Sequence, residues 1–301
     1  MSNCQRTPTN KTLLIGAHMP ISGGLEKSLD LGAKLGCTAI QIFTKSNRQW
    51  YAKKLSPLQT DLFKITQKTF NILSVTAHAS YLINLGSTNE ELVEKSIKSL
   101  IEELMRCDEL NIPQLVLHPG SNPNKTKQNY PESETIKKIA QNINRTFEKY
   151  NGPCNLALEN MAGQGSTIGS SFEELRDITA NIKRQEKIKF CFDTCHAFAA
   201  GYQFDTQETY TTMLNNLNQT LGLENLSIIH INNSKTERGS HIDRHDHLDC
   251  GKIPLEAFNL LLNDSRLDTI PKILETPKEN GFECDRSNIK IMIDLINNPQ
   301  F

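Results

Sequence analysis

The sequence predicts one (β/α)₈ barrel, because eight short apolar segments alternate with eight longer segments of helical periodicity. The alternation shows no break in composition and no linker, which favours one barrel domain over residues 13–301 after a polar extension over residues 1–12. The chain has 301 residues, a length that α/β barrels commonly reach as one unit. An open doubly wound sheet is the alternative, but no glycine-rich phosphate-binding pattern follows the first strand.

Eight apolar segments are predicted to form the strands. They are Leu13–Ala17, Ala39–Phe43, Ile72–Ala77, Gln114–Leu117, Asn155–Leu158, Ile188–Phe192, Leu226–Ile229 and Pro271–Leu274. Short apolar runs of this kind, separated by helical patterns, are typical of buried parallel strands.

Capping residues and apolar periodicity predict the helices between these strands. Ser56 and Pro57 suit an N-cap and a first helical position, Ser87-x-x-Glu90 suggests a capping box, and Ser171-x-x-Glu174 is predicted to cap the next helix. The predicted helices are Leu25–Leu35, 57–70, a long helix after Ser87, Glu132–Tyr150, a helix after Ser171, Thr209–Leu221, Pro254–Leu262 and Arg286–Ile296.

The composition indicates an ordinary soluble protein that is made and kept inside the cell. The net charge of −1 does not by itself indicate a nucleic-acid partner. The eight cysteines have no regular spacing, which favours a reduced intracellular, cytoplasmic protein. The polar N-terminus lacks the apolar core of a secretion signal, and no apolar run approaches the ~20 residues that span a membrane.

Imidazole and carboxylate groups follow the third to eighth predicted strands. A barrel places its chemistry at the C-terminal ends of its strands, so these groups should meet at one rim. Each group taken singly could be a satisfied strand end, but the agreement of six strands favours a metal site. The candidate ligands are His78, His118, Glu159, Asp193, His196, His230, Asp243, His245 and Glu275.

The segment His230–His247 has the highest density of candidate ligands in the chain. It holds four of the eight histidines and begins where a predicted strand ends. Such imidazole-rich segments favour metal binding, whereas the alternative is a polar surface loop with scattered histidines. Nine ligands exceed the needs of one tetrahedral ion and suit two or three. Centres of this kind commonly cleave phosphoesters by activating water and neutralising phosphate charge.

Three long motifs resemble the signatures of the endonuclease IV family of metal-dependent AP endonucleases. They are HASYLINLG from His78 to Gly86, CFDTCH from Cys191 to His196, and HINNSKTERGSHIDRH from His230 to His245. Shorter matches are GAHMPISGG, FTKSNRQW, LHPG, LEN and LET, beginning at Gly16, Phe43, Leu117, Leu158 and Leu274. Together they cover the chain after about the first dozen residues.

The resemblance implies a barrel with three zinc ions, for which manganese could substitute, that hydrolyses the phosphodiester 5′ to an abasic site. It implies that Glu159 bridges two ions and that Glu159 and Glu275 are the catalytic carboxylates. His78 and His118 would complete the ligand set of the first ion. Asp193, His230 and Glu275 would complete that of the second. The third would be held by His196, Asp243 and His245. The expected partner is double-stranded DNA, with no membrane and no second copy of the chain.

The resemblance also assigns the DNA contacts to two loops. Arg48, Gln49, Tyr81 and Leu82 would enter the duplex and support the extruded abasic nucleotide. The segment Phe43–Thr60 has Lys45, Arg48, Lys53, Lys54 and the aromatic residues Trp50 and Tyr51 but no acidic residue. This composition suits a phosphate backbone, although a solvated basic loop is equally consistent with it.

One departure from the family pattern lies after the third ligand group. The family has a Leu-Gly-x-Gly run there, whereas this chain has Leu248-Asp249-Cys250-Gly251, which changes the expected loop path but not the ligands. His18 matches a family histidine near the site and receives no ligand role, and His241 and His247 stay unassigned.

Two other functions compete with this interpretation. A sugar isomerase or epimerase shares the barrel but would need fewer metal ligands and a proton-transferring base. A non-catalytic binder of damaged DNA would tolerate loss of the bridging carboxylate, which is present here as Glu159.

Overall fold

The computed structural model describes residues 13–122, 131–278 and 281–298, so the predicted extension over residues 1–12 lies outside the described residues. Eight parallel strands close into a barrel in the order of the sequence, which confirms the predicted fold class. The strands are β1 (Ile15–His18), β2 (Ala39–Phe43), β3 (Ser74–His78), β4 (Gln114–Leu117), β5 (Asn155–Glu159), β6 (Ile188–Asp193), β7 (Leu226–His230) and β8 (Lys272–Leu274).

Helices cover the outside of this barrel. They are α1 (Leu25–Leu35), α2 (Pro57–Thr69), α3 (Glu90–Leu110), α4 (Glu132–Lys149), α5 (Phe172–Ala180), α6 (Thr194–Ala200), α7 (Gln207–Leu221), α8 (Leu255–Leu262) and α9 (Glu283–Asn297). Within the described residues, one-turn 3₁₀ helices lie before β6, β7 and β8, at Gln185–Lys187, Leu223–Asn225 and Ser265–Leu267. Apolar side chains from the outer faces of the strands and the inner faces of the helices form the main core. In the described part of the chain no helix has the length and apolarity that crossing a membrane requires.

The interior of the barrel has an apolar layer below a polar one. Side chains alternate in direction along a strand, so every second residue points inward. The apolar layer consists of Ala39, Val116, Ala157, Cys191, Ile228 and Ile273. Two residues further along these strands, and at the matching ends of β1 and β3, the polar layer consists of His18, Gln41, His78, His118, Glu159, Asp193, His230 and Glu275. All eight strands therefore contribute one polar side chain to the same rim.

Helix caps differ from the prediction at one position. Helix α3 begins after Asn89, whose side chain accepts a hydrogen bond from the amide of Leu92, so the capping box predicted at Ser87 and Glu90 is wrong. The side-chain carbonyl of Asn89 serves as the capping acceptor two residues later, and the hydroxyl of Ser87 instead accepts from the amide of Asn89. Ser171 does cap α5 as predicted.

The sequence pattern missed three short elements near the rim. Helix α6 follows β6 directly, and two antiparallel pairs join Gly120–Ser121 to Thr167–Ile168 and Asn233–Ser234 to His245–Asp246. Each is too short to show a hydrophobic period. The second pair folds the loop after β7 back across the rim and thereby returns His245 to the barrel axis.

Candidate metal centre

Glu159 lies at the centre of the polar layer and is fully buried. One carboxylate oxygen, Oε2, lies 3.2 Å from Nε2 of His78 and 3.2 Å from Nε2 of His118. The other, Oε1, lies 2.9 Å from Nδ1 of His230 and 3.4 Å from Nδ1 of His196. The two oxygens thus face different groups of histidines, which is the arrangement that a bridging carboxylate requires.

A second group of donors surrounds Nδ1 of His230. Besides Glu159, this nitrogen lies 3.3 Å from Oε2 of Glu275 and 3.7 Å from Oδ2 of Asp193. Donor atoms of Glu159, Asp193, His230 and Glu275 all lie within 4.8 Å of one another. The three carboxylates around this point repel one another, and a cation between them would relieve that repulsion.

A third group forms where α6 meets the loop after β7. Nε2 of His196 lies 3.2 Å from Oδ2 of Asp243, and Nε2 of His245 lies 3.4 Å from Oδ1 of the same residue. Nε2 of His245 is also 3.8 Å from Oδ2 of Asp193. The structure therefore brings all nine sequence-predicted residues together in three adjoining groups.

Hydrogen bonds to backbone carbonyls place a proton on the outer ring nitrogen of three histidines. Nδ1 of His78, His196 and His245 lies 2.8, 2.8 and 3.2 Å from the carbonyl oxygens of Ala79, Asn160 and Glu275. Carbonyl oxygens only accept, so each of these nitrogens carries the proton and leaves a lone pair on Nε2. A metal-binding histidine typically donates one ring N–H to a protein oxygen in this way and binds the ion through its other ring nitrogen.

The ring of His230 has the opposite orientation, with Nδ1 and not Nε2 facing the other candidate ligands. Its Nε2 lies 2.8 Å from Oε1 of Gln41, which leaves the Nδ1 lone pair facing Glu159. The amide nitrogen of Gln41 donates to Oε1 of Glu275 at 2.6 Å and thereby holds a second member of the group.

The third group contains two ring nitrogens that are suited to bind a cation. Nε2 of His196 and Nε2 of His245 are buried and have no hydrogen-bond partner among the described residues. Both face the carboxylate of Asp243, although neither meets it with hydrogen-bond geometry. Buried nitrogens without partners are costly, and a divalent ion between them and the carboxylate would satisfy all three side chains.

The carboxylates of the site are held in their ionised form. Burial raises the pKa of Glu159, but the imidazoles of His230 and His118 outweigh it and hold that pKa well below its usual range. Burial likewise raises the pKa of Glu275, and His230 reverses the shift. For Asp243, burial raises the pKa, but the imidazole of His196, with Nε2 3.2 Å from Oδ2, outweighs it and lowers the pKa to about 2. These groups are therefore anionic at neutral pH, the form that binds a cation.

Sequence analysis missed several residues that orient the ligands. Asn232 donates to Oδ2 of Asp193 at 2.7 Å and accepts from the amide of Glu275 at 2.7 Å. Asn160 accepts from the amide of Asp193 at 2.7 Å. Both asparagines directly follow or nearly follow a strand end and are buried, so their position beside the candidate ligands was the available signal.

The proposed DNA-contacting residues lie on two loops beside the centre. The ring of Tyr81 packs 5.4 Å from that of His78 and 5.6 Å from that of His118, yet the side chain is 57% exposed. Arg48 and Gln49 are exposed, and Leu82 is half-buried. Tyr81 thus packs against two candidate ligands while a large part of it stays open to solvent.

Lys45 differs from the expected phosphate-binding role. The segment Phe43–Thr60 was expected to present its cations to DNA, but Lys45 is buried and its Nζ lies 3.4 Å from Oε1 of Glu103. The lysine stem reaches inward because a buried carboxylate compensates its charge. Arg48, Lys53 and Lys54 remain exposed.

Cys191 and Cys195 flank Asp193, and their sulfur atoms lie within 4.8 Å of neighbouring candidate ligand atoms. Nine other donors are already present, so we expect these two buried residues to serve packing and not metal binding. Replacing both with Ala should leave metal content unchanged and cost about 1–2 kcal/mol of stability from cavities. Elemental analysis and thermal unfolding measure both effects, and Cys37→Ala is a control because Cys37 is buried away from the centre. Loss of one ion with the double variant would make a cysteine a ligand.

Comparison with known proteins agrees with the geometry. A family model described as a xylose isomerase-like TIM barrel matches residues 29–297. The chain is 40% identical over 282 residues to a Chloroflexus aurantiacus protein named probable endonuclease 4, with 93% of this chain and 97% of the relative covered. The crystal structure of endonuclease IV from Thermus thermophilus matches with a TM-score of 0.81 at 36% identity, covering 94% of this chain and 99% of that one.

A more distant similarity concerns the fold alone. A D-tagatose 3-epimerase-like protein matches with a TM-score of 0.70 at 18% identity, covering 94% of this chain and 98% of that one. The barrel is thus shared with sugar-epimerising proteins, and the function has to be argued from the site.

Proposed function

The chain belongs to the endonuclease IV family, and we propose that it is a metal-dependent endonuclease that hydrolyses the phosphodiester on the 5′ side of an abasic site in DNA. The observation that carries this proposal is the three-part donor set around Glu159. An epimerase of the same fold would need one or two ions and a proton-transferring base, whereas nine donors exceed that need. The products would be a 3′-hydroxyl and a 5′-deoxyribose phosphate.

We assign the nine donors to three ions, which we expect to be zinc, with manganese able to substitute. His78, His118 and Glu159 would hold the first, Glu159, Asp193, His230 and Glu275 the second, and His196, Asp243 and His245 the third. Bound ions of this kind lower the pKa of water and neutralise charge on phosphodiester oxygens. The chain supplies ionised carboxylates and holds them and the imidazoles in fixed orientations, so little reorganisation precedes the reaction.

Selection of abasic sites would come from the two exposed loops. An abasic nucleotide is cheap to extrude because it has no base to unpair or unstack. Tyr81 and Leu82 would fill the gap left in the duplex, and Arg48 and Gln49 would contact the strands beside it. Recognition of this kind needs no base readout, because it depends on the missing base and the gap that it leaves. A monomer inside the cell remains the predicted form.

The decisive experiment is incision of a duplex that carries one tetrahydrofuran abasic analogue. We expect the strand to be cut 5′ to the analogue and an undamaged duplex to remain intact. Dialysis against a chelator should abolish incision by removing the ions, and zinc or manganese should restore it. The dialysis has to be prolonged, because buried donors release ions slowly. Elemental analysis should give close to three ions per chain. One ion per chain, together with epimerisation of a ketose and no incision, would instead support the sugar-enzyme alternative.

A further inference from the structure

Helix α3 presents four polar side chains to the two exposed loops. Ser99, Glu102, Glu103 and Arg106 have the spacing that places residues on one side of a helix. We call them the α3 polar face. One loop, residues 44–56, follows β2 and carries Arg48 and Gln49, and the other, residues 79–89, follows β3 and carries Tyr81 and Leu82.

Lys45 joins the first loop to this face. Its Nζ donates to Oγ of Ser99 at 2.9 Å and lies 3.4 Å from Oε1 of Glu103. The same nitrogen donates to the backbone carbonyls of Gln49 at 3.1 Å and Trp50 at 2.6 Å. Lys45 therefore fixes the backbone directly beside Arg48 without using any atom of Arg48 itself.

The remainder of the first loop is held by two other members of the face. The guanidinium of Arg106 donates to the carbonyl of Thr44 at 3.0 and 2.6 Å and to that of Lys53 at 2.9 Å. The amide of Ala52 donates to Oε1 of Glu102 at 3.0 Å. Contacts at both ends and in the middle leave the loop tip exposed but its backbone anchored.

Glu103 joins the second loop to the same network. Its Oε2 accepts from the amide of Ser80 at 3.2 Å, directly before Tyr81. The hydroxyl of Ser80 donates to the carbonyl of Asn47 at 2.8 Å and accepts from the amide of Leu82 at 3.2 Å. The two loops are thus joined to each other and to one buried carboxylate.

Stability alone is a weak reason to bury this pair. The side chains of Lys45 and Glu103 are each 1% exposed, and moving two charges out of water commonly costs as much as their attraction returns. Apolar residues of similar volume could fill the space, but they would give the loop backbones no partner. What only the polar pair supplies is one defined loop arrangement.

We propose that Lys45 and Glu103 are positioning residues that hold both loops, and with them Arg48 and Tyr81, in the arrangement that receives an abasic duplex. This inference rests on the proposed function, because it assigns the loops to DNA. A pre-arranged surface binds more tightly, since a disordered one has to be ordered at the expense of affinity. The reaction centre itself needs neither residue.

The test is the double variant Lys45→Met with Glu103→Leu, which removes both charges together. We expect an unfolding midpoint within about 5 °C of the unsubstituted protein, since no charge is left unpaired. Metal content should be unchanged. The KM for the abasic duplex should rise about tenfold with kcat changed less than about threefold. The reason is that the free-energy cost of ordering the loops reduces the affinity for DNA and not the rate of the chemical step. Single-stranded DNA with the same analogue needs no wedge and should lose about twofold at most.

Hydrogen exchange gives a readout independent of activity. Peptides over residues 44–53 and 79–83 should exchange faster in the double variant, whereas residues 226–230 of the barrel should not. The conservative variant Glu103→Gln keeps an acceptor for the amide of Ser80. Its loop peptides should exchange at rates between those of the unsubstituted protein and those of the double variant. Asp264→Asn is the matched control, because Asp264 is a partly buried carboxylate that pairs with Tyr210 and Arg266 on another side of the barrel. It should lower stability without raising KM.

The outcomes separate this inference from the proposed function. Incision by the unsubstituted protein with unchanged KM and loop exchange in the double variant would overturn the positioning role alone. Equal losses on duplex and single strand, or loss of metal, would also overturn it by placing the effect in the fold or the centre. Absence of abasic-site incision by the unsubstituted protein would overturn the proposed function first.

Discussion

Glu159→Gln is expected to reduce abasic-site incision by about 10³-fold or more while the barrel stays folded. The carboxylate is fully buried, and each oxygen faces a different pair of histidines. An amide keeps the shape but offers one oxygen instead of two and carries no charge. Two groups of donors would therefore lose their shared anion, and the ions they hold would bind less tightly.

The measurements are metal content, the unfolding midpoint and incision of the abasic duplex. We expect fewer than three ions in Glu159→Gln. Glu174→Gln is a matched control, because Glu174 follows the same strand and accepts from the amides of Gly169 and Ser170 but belongs to none of the three donor groups. It should lose stability and keep its ions. Incision by Glu159→Gln close to that of the unsubstituted protein would remove Glu159 from the bridging position.

The position of the centre could be predicted because barrel topology converts sequence order into space. Once eight strands are recognised, the residue at the end of each strand has to lie on one rim, whatever the helices do. His78, Glu159 and His230 needed no further information. Asp243 and His245 depended on the density of imidazoles in their loop, and their return to the axis through the short antiparallel pair was not visible in the sequence.

The residues that could not be predicted act through long-range contacts. Gln41 has no ligand chemistry of its own, and its role follows only from the register that places it between His230 and Glu275. Lys45 looked like its exposed neighbours Lys53 and Lys54 because local composition cannot show a carboxylate 58 residues away in sequence. The partner, Glu103, is on a helix whose other charged residues mostly face solvent.

Arg48→Ala should weaken binding of abasic duplex DNA without changing metal content. Its side chain is exposed, and Arg48 is not one of the nine donors. Losing one phosphate contact should reduce the slope of log K against log salt by about one, because one fewer counterion is released. Binding measured at several salt concentrations gives this slope.

The matched control for that charge is Lys68→Ala. Lys68 is also exposed and lies in the last turn of α2, so it is at the opposite end of the barrel from the strand termini that carry the centre. Lys68→Ala removes one positive charge from the protein, as Arg48→Ala does. An equal change of slope in both variants would mean that net charge, and not the position of Arg48, governs binding.

Tyr81→Ala tests the wedge more directly than Arg48→Ala. The ring packs against His78, His118 and Phe43 on one side and is exposed on the other, so it can reach a stacked base without leaving the centre. Stacking of this kind is worth roughly 1–3 kcal/mol, so incision of the duplex should fall by about tenfold to a hundredfold. Tyr81→Phe keeps the ring and should retain most activity.

The comparison that decides the role of Tyr81 is between an intact duplex and a flexible, poorly stacked substrate with the same lesion. Filling a gap in the helix matters only where neighbouring bases stay stacked, so Tyr81→Ala should lose activity on the duplex and much less on the flexible substrate. Metal content measured in parallel shows whether the rings of His78 and His118 keep their positions. Equal losses on both substrates, with or without loss of an ion, would place Tyr81 in the support of the centre and not in recognition of the lesion.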